Sequence, residues 1–139
     1  MFIKQLSVFL ENKEGRLDDV LGVLADNGIN LLSTSIADTT EFGVLRLITK
    51  EADKAKDILK NAGFTARVDD VIAVVVPDAV GSLAKVMKDI HRAGINVSYI
   101  YGLSIDGPGA PIAIKTDDNE KASAVLEESG VKMLSTEEL

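Results

Sequence analysis

The sequence predicts an α+β protein in which one β-α-β-β-α-β unit occurs twice in tandem. Two observations predict it. The chain repeats itself after 66 residues, and within each copy the apolar residues recur first every second residue and then about every 3.6 residues. A chain of 139 residues is long enough for two such units, because domains extend down to about 50 residues.

The repeat is clearest in the first loop and helix of each copy. Residues 15–30 read GRLDDVLGVLADNGIN and residues 81–96 read GSLAKVMKDIHRAGIN, with identical Gly, Leu, Val, Gly, Ile and Asn at matching places. Leu59 then matches Leu126 at an offset of 67, because one residue is gained before Gly109. Spacing and residue type agree, so we predict two domains, residues 1–70 and 71–139.

Each element of the first copy follows from its pattern. Alternation of β-forming residues predicts strands, apolar stripes at i, i+3, i+4 and i+7 predict helices, and Gly28 and Gly63 mark the helix ends. The predicted order is a strand at residues 2–10, a helix with its stripe at Leu17, Val20, Leu21 and Leu24, strands at residues 31–37 and 44–49 joined by a polar turn, a helix with its stripe at Ala55, Ile58, Leu59 and Ala62, and a strand at residues 64–68.

The second copy repeats this order. It has strands at residues 71–76, 97–103, 112–115 and 132–134, and helices with stripes at Leu83, Val86, Met87, Ile90 and at Ala122, Val125, Leu126. This is the ferredoxin-like plan, an antiparallel sheet with both helices on one face. Asp69 and Asp70 are the only polar break between the strands of adjacent copies. Edge strands and an uncovered sheet face invite pairing, so we expect a homodimer.

Composition excludes several function classes. The chain has no Cys and one His, so disulfides, thiolate catalysis and multi-His metal cages are not expected. A net charge of −7 argues against nucleic acid as a partner. The acidic run at residues 117–120 is typical of a helix start rather than of a calcium loop. The longest apolar run, residues 71–76, is far shorter than the roughly 20 residues of a membrane helix, and the start does not resemble a signal peptide. We therefore expect a cytoplasmic protein without membrane contact, metal or cofactor.

Two short motifs in each copy resemble a known family, the ACT domain. The loop after the first strand reads ENKEGRL in residues 11–17 and PDAVGSL in residues 77–83, and the helix exits read Gly-Ile-Asn at residues 28–30 and 94–96. The family's loop usually reads Asn-x-Pro-Gly-x-Leu and its helix exit Gly-Ile/Val-Asn. Glu14 and Val80 replace the loop proline, and Asp78 replaces the loop Asn of the second copy. The resemblance covers essentially the whole chain as two ACT units.

The resemblance implies a ligand and a site. ACT domains bind small ligands, usually amino acids, at the interface between two units and regulate amino-acid metabolism. In the ACT domain of phosphoglycerate dehydrogenase, the loop Asn and the Asn of the helix exit contact the ligand. These positions correspond to Asn12 and Asn30 in the first copy and to Asp78 and Asn96 in the second. A ligand-contacting His of that enzyme falls at Leu10, whose side chain has no polar atom to make that contact.

Elementary chemistry points to the same loops. A glycine lets the backbone approach a ligand closely, and the helix N-terminus after it presents N–H groups and a positive dipole that suit a carboxylate. An Asn or Asp nearby can accept hydrogen bonds from an ammonium group. We therefore predict an α-amino-acid site, with no catalytic residue, formed by Asn12, Gly15, Asn30, Asp78, Gly81 and Asn96.

Structural readings of these and other residues stay open. Asn12 and Asp78 can cap a helix, the glycines can serve turns alone, and the helix-exit Asn can fix the entry to a strand. Tyr99 and Tyr101 share one face of a strand, where they can stack on a ligand or partner, or form a partly buried sheet face. His91 is most simply a surface residue beside a helical stripe.

The sequence therefore favours a non-enzymatic sensor that binds an amino acid and regulates a metabolic enzyme. The alternatives are a small ferredoxin-like enzyme, acylphosphatase-like or isomerase-like, and an interaction module that binds no metabolite. Fold alone does not separate them. An enzyme needs converging Arg/Asn or acid–base side chains on one unit, and no such set is evident in the sequence.

Overall fold

The computed structural model describes residues 1–38 and 41–139. Residues 39 and 40, part of the predicted turn between the second and third strands, lie outside the described residues. The chain forms two compact units: an N-terminal unit, Lys4–Asp69, and a C-terminal unit, Asp70–Leu139 together with Met1–Ile3. The predicted division into residues 1–70 and 71–139 remains a prediction of domain bounds.

The N-terminal unit follows the predicted element order. Its strands lie in the order β2-β3-β1-β4, and β1 and β2 both pair antiparallel with β3. The elements are β1 (Ile3–Glu11), α1 (Arg16–Asp26), β2 (Ser33–Asp38), β3 (Phe42–Ile48), α2 (Ala52–Asn61) and the first part of β4 (Thr65–Val76).

The C-terminal unit repeats this arrangement. Its strand order is β5-β6-β4-β7, all antiparallel, so each strand takes the place of its counterpart in the N-terminal unit. The elements after β4 are α3 (Ser82–Arg92), β5 (Val97–Gly102), β6 (Ala110–Thr116), α4 (Asn119–Glu128), β7 (Lys132–Met133) and a 3₁₀ turn (Thr136–Glu138). The predicted fold class, two tandem ferredoxin-like units, is confirmed.

One predicted boundary is wrong. Asp69 and Asp70 do not break the chain into two strands but lie within the continuous 12-residue β4. The carboxylate of Asp69 accepts hydrogen bonds from the Ser7 hydroxyl (3.3 Å) and from Nε of Arg67 (3.0 Å). The carbonyl of Asp70 accepts from the side chains of Lys115 and Asn119. Because these polar groups have partners, two successive acidic residues remain compatible with an extended strand.

Each unit buries both of its helices against one face of its sheet. Val20 and Leu24 of α1 and Leu59 of α2 join the core of the N-terminal unit, while Leu17, predicted in the same stripe, is 40% exposed in the first turn. The core of the C-terminal unit is built in the same way, and Phe2 packs against it. The cores consist mainly of Leu6, Val8, Leu45 and Leu47 in the first case, and Ile72, Val74, Ile90, Ile114 and Leu126 in the second.

The acidic run at residues 117–120 starts a helix, as predicted. Asp118 is the N-cap of α4, and its carboxylate accepts a hydrogen bond from the backbone N–H of Lys121 at 3.0 Å. We expect Asp118→Ala to lower the free energy of unfolding by about 1 kcal/mol, because one N–H of the first turn loses its acceptor. Urea unfolding measures the difference. The exposed Glu127, replaced by Ala in the same helix, is the control, and an equal loss there would contradict the capping role.

Candidate functional site

The loop between the first strand and the first helix has the same geometry in both units. Gly15 is the N-cap of α1 with φ +83°, and Gly81 is the N-cap of α3 with φ +84°. Because glycine has no side chain, neither N-cap residue supplies a side-chain cap, and Asn12 and Asp78 each precede the N-cap position by three residues. Residues with a Cβ rarely adopt this left-handed conformation, which explains the glycine at both positions.

These glycine caps leave backbone donors at the start of each helix. The first intrahelical hydrogen bonds run from Asp19 N–H to the Gly15 carbonyl (2.9 Å) and from Lys85 N–H to the Gly81 carbonyl (3.0 Å). The N–H groups of residues 17 and 18, and of residues 83 and 84, therefore have no acceptor within their helix. Together with the helix dipole, they favour an anionic group at this end.

A cleft lies beside each of these helix starts. In the N-terminal unit it has a volume of about 290 Å³ and includes Arg16, the residue after the glycine cap. In the C-terminal unit it has a volume of about 450 Å³ and includes Ser82, the corresponding residue. Both clefts are walled by the end of the first strand, the start of the third strand or the residues just before it, and the turn after the second helix. The remaining lining residues are Phe9, Leu10, Glu11, Phe42, Ala62, Gly63, Phe64 and Thr65 in the first cleft, and Val75, Val76, Pro77, Lys85, Val86, Pro108, Gly109, Ser129, Gly130, Val131 and Lys132 in the second.

The helix-exit residues lie at the other end of each unit. Ser33 at the start of β2 aligns, through Ile48 of β3, with Gln5 near the start of β1, whereas the loop of Asn12 follows the end of β1. An 11-residue helix, about 16 Å long, separates the two ends, so Asn12 and Asn30 do not meet within one unit. The same holds for Asp78 and Asn96. A ligand that contacts both a loop residue (Asn12 or Asp78) and a helix-exit residue (Asn30 or Asn96) therefore has to bind between two different units.

Asn96 has a structural task of its own. Its backbone N–H donates to the carboxylate of Asp117 (3.1 Å), and its carbonyl accepts from the backbone N–H of Asp117 (3.1 Å). This exchange ties the entry of β5 to the end of β6. Asn30 and Asn96 are both exposed, and each follows a buried isoleucine of the helix exit.

Charges differ between the two loops. In the N-terminal unit Lys13 lies 2.8 Å from the Glu11 carboxylate, and its hydrogen bond and positive charge lower the pKa of that carboxyl. Arg16 lies 3.7 Å from Asp19. In the C-terminal unit the loop carries Asp78 and the fully exposed Val80. The first loop is therefore a network of paired charges, and the second is not.

The remaining candidates lie away from these clefts. Tyr99 and Tyr101 share one strand face, as predicted, and stack there with ring centroids 6.3 Å apart; this face lies opposite the core of their unit. His91 is exposed in the last turn of α3. Within residues 1–38 and 41–139, no group of three His, Cys, Asp or Glu side chains could hold a metal ion. None of the described helices is long and apolar enough to cross a membrane.

Most residues that line the clefts carry no signal of their own in the sequence. Lys85, Lys132 and Val131 belong to no predicted site, and Gly109 marks only the place before which the repeat gains a residue. The residues come from three segments far apart in the chain, so no single motif contains them. The repeat itself was the available signal, because an offset of 66 or 67 places every lining residue of the first cleft on a lining residue of the second.

Comparison with known families identifies the architecture. A family model described as an ACT domain pair matches residues 1–139. No curated protein matches the sequence.

Solved structures share the fold. Protein BT0572 from Bacteroides thetaiotaomicron is 38% identical with a TM-score of 0.91, over 99% of this chain and 95% of that one. The ligand-free regulatory subunit of aspartate kinase from Thermus thermophilus is 17% identical with a TM-score of 0.65, over 91% and 90% of the two chains. The corresponding subunit from Thermus flavus is 18% identical with a TM-score of 0.61, over 91% and 92%.

Proposed function

Because this chain belongs to the ACT domain family, as a pair of such domains, we propose that it is a regulatory protein that binds an amino acid. One observation carries the proposal: both units present a helix N-terminus capped by a glycine of positive φ, and each opens beside a cleft. Two neighbours of the same fold are regulatory subunits of aspartate kinase, which is a precedent for this role.

The proposed contacts follow from the charge of an α-amino acid. The ligand carboxylate accepts hydrogen bonds from the backbone N–H groups that follow Gly15 or Gly81, at the positive end of the helix dipole. The ammonium group donates to Asn12 in one loop or to Asp78 in the other. Asn30 or Asn96 joins such a site from another unit. Ligand binding then shifts the equilibrium between different associations of the units, and a metabolic enzyme responds to that shift.

The proposal includes a cytoplasmic homodimer. β2 and β5 stand at the ends of the strand orders of their units, and Ile36 on β2 is 52% exposed. An edge strand with an exposed apolar side chain favours pairing with another chain. Light scattering of the purified protein measures the oligomeric state, and a monomer at all concentrations would remove this part of the proposal.

A thermal-shift screen against the twenty amino acids and their 2-oxo acids tests the main proposal. A ligand that binds only the native state stabilises it by about 2.7 kcal/mol at a hundredfold excess over Kd. We expect a rise in Tm with at least one ligand, and a smaller rise in Asn12→Ala or Asp78→Ala, whose lost hydrogen bond weakens binding about tenfold.

The controls are Asn61→Ala and Asp57→Ala, which remove exposed side chains of the same types from α2. Both are expected to keep the full shift. No shift with any ligand would contradict the proposal and favour an interaction module instead. Turnover by the purified chain alone would favour the small enzyme.

A further inference from the structure

The two clefts occupy the same place in the repeat but differ in the side chains that line them. Three phenylalanines wall the cleft of the N-terminal unit, and the repeat replaces all three by smaller residues in the C-terminal unit. The pairs are Phe9 and Val75, Phe42 and Gly109, and Phe64 and Val131.

The two clefts also differ in volume. The N-terminal cleft holds about 290 Å³ and the C-terminal cleft about 450 Å³. Small-molecule sites range over about 300–1,000 Å³, so the second cleft lies within that range and the first lies at its lower edge. The ring of Phe9 also lies 5.5 Å below the guanidinium of Arg67, which occupies one face of the ring.

The charge of the lining changes together with its size. The C-terminal cleft is lined by Lys85 and Lys132 and by no acidic side chain. The repeat places Asp19 and Thr65 at these positions in the N-terminal unit, and that cleft carries Glu11 where the other has Pro77. In a chain of net charge −7, a lining with two lysines and no carboxylate is a marked local excess of positive charge.

The two lysines are available to a ligand. Across the described ranges 1–38 and 41–139, neither ammonium group lies within 4.0 Å of a carboxylate oxygen. Lys132 also lines a smaller neighbouring cavity together with Asp106 and Glu138, but the Glu138 carboxylate accepts hydrogen bonds from the backbone and hydroxyl of Ser135. Lys85 projects from the first turn of α3, where the open N–H groups lie.

The rest of the C-terminal lining is mainly aliphatic. Val75, Val76, Val86 and Val131 supply branched apolar side chains, with Pro108 from the hairpin. The cleft therefore combines one lysine at the helix start, a second lysine on β7 and a hydrocarbon wall. A small carboxylate with an aliphatic body matches both features.

We infer that the C-terminal cleft, and not its N-terminal counterpart, is the ligand site, and that it takes one small aliphatic carboxylate per chain. The shared chemistry is that of valine, leucine, isoleucine and their 2-oxo acids. The inference rests on the proposed function, since it names which cleft acts and which class of ligand it accepts. Asp78, next to the lining residue Pro77, is the group that favours the amino acid over the oxo acid.

Isothermal titration of the full chain with these six compounds tests the inference. We expect saturable binding of one molecule per chain by at least one of them. Val131→Phe, which gives the C-terminal cleft the ring of its counterpart, is expected to abolish binding, and Lys85→Asp to weaken it more than tenfold. If the amino acid is the ligand, Asp78→Ala is expected to weaken binding of the amino acid and to leave the affinity for the oxo acid unchanged.

Matched controls use the other cleft and a lysine of α3 that lies outside the cleft, one turn after Lys85. Phe64→Val alters the N-terminal cleft at the position that corresponds to Val131, and Lys88→Asp makes the same charge change at an exposed residue outside the cleft. Both are expected to bind as the unaltered protein does. Circular dichroism of each variant shows whether lost binding comes from a filled cleft or from an unfolded unit. If Lys85→Asp unfolds, Lys85→Met takes its place, because methionine keeps an unbranched side chain of similar length without the charge.

The possible failures are distinguishable. If other amino acids bind but these six compounds do not, the inference is overturned and the proposed function stands. The same conclusion follows if Val131→Phe binds normally, if Phe64→Val abolishes binding, or if two molecules bind per chain. If no amino acid or oxo acid binds, both the inference and the proposed function fall.

Discussion

Ile90→Ala is expected to lower the free energy of unfolding by about 2–5 kcal/mol, and Leu24→Ala by a similar amount. Both side chains are fully buried, and they occupy the same position of the repeat, in α3 and α1 respectively. Truncation removes buried methyl and methylene groups and leaves a cavity that the packed core fills only in part. A loss of this size is a large fraction of the roughly 5–15 kcal/mol that stabilises a typical domain.

Urea unfolding followed by circular dichroism measures both losses. Leu17→Ala is the matched control, because it removes the same side chain from the same helix at a position that is 40% exposed. We expect it to cost about 1–2 kcal/mol, less than Leu24→Ala, since a leucine that is 40% exposed transfers a smaller area from water and leaves no enclosed cavity. Equal losses at Leu17 and Leu24 would contradict the arrangement of α1 on its sheet.

Gly109→Ala is expected to be the most damaging single-methyl addition in the C-terminal unit. Gly109 has φ +84°, and a Cβ there would lie 2.7 Å from Cγ1 of Val75 and 2.8 Å from the carbonyl oxygen of Val76. The left-handed conformation costs about 1–2 kcal/mol for a residue with a Cβ, and the overlap adds about 1–3 kcal/mol. One of the two close atoms belongs to the backbone of β4, so a rotamer change does not relieve the overlap.

Gly15→Ala separates these two costs. Gly15 has nearly the same φ, +83°, but no atom lies within 4 Å of the Cβ position among the described residues. We expect it to lose only the cost of the backbone conformation, about 1–2 kcal/mol. If urea unfolding shows the two substitutions to be equally destabilising, that result would contradict the close packing of Gly109 against β4. Because Gly109 lines the C-terminal cleft, Gly109→Ala is also expected to disturb that site.

The loop glycines illustrate how far a sequence can predict a site. Gly15 and Gly81 precede apolar stripes of helical spacing, and both prove to be N-caps with positive φ. Local chemistry is sufficient here, because a turn between a strand and a helix is decided by residues a few positions apart. The roles of Asn12, Asn30, Asp78 and Asn96 in binding remain predictions, since they depend on which unit meets which.

The break predicted at Asp69 and Asp70 shows the opposite case. Two adjacent acidic residues have a low strand propensity, and propensity is all that a local pattern offers. Their distant hydrogen-bond partners are Ser7 of β1, Lys115 of β6 and Asn119 of α4. These residues are 45 to 62 positions away in the sequence. Tertiary hydrogen bonds therefore decide the conformation of this segment.

The sequence by itself determined the repeat, the order of helices and strands, the two cores and the glycine-capped loops, because each is written in residues that are near one another or spaced at a regular period. Only the tertiary structure decided that three distant segments of each unit enclose a cleft, and that phenylalanines line one cleft while valines and lysines line the other. The physical reason is that a cleft is shaped by side chains brought together from separate elements. Their combined volume and charge have no counterpart in any single stretch of the chain.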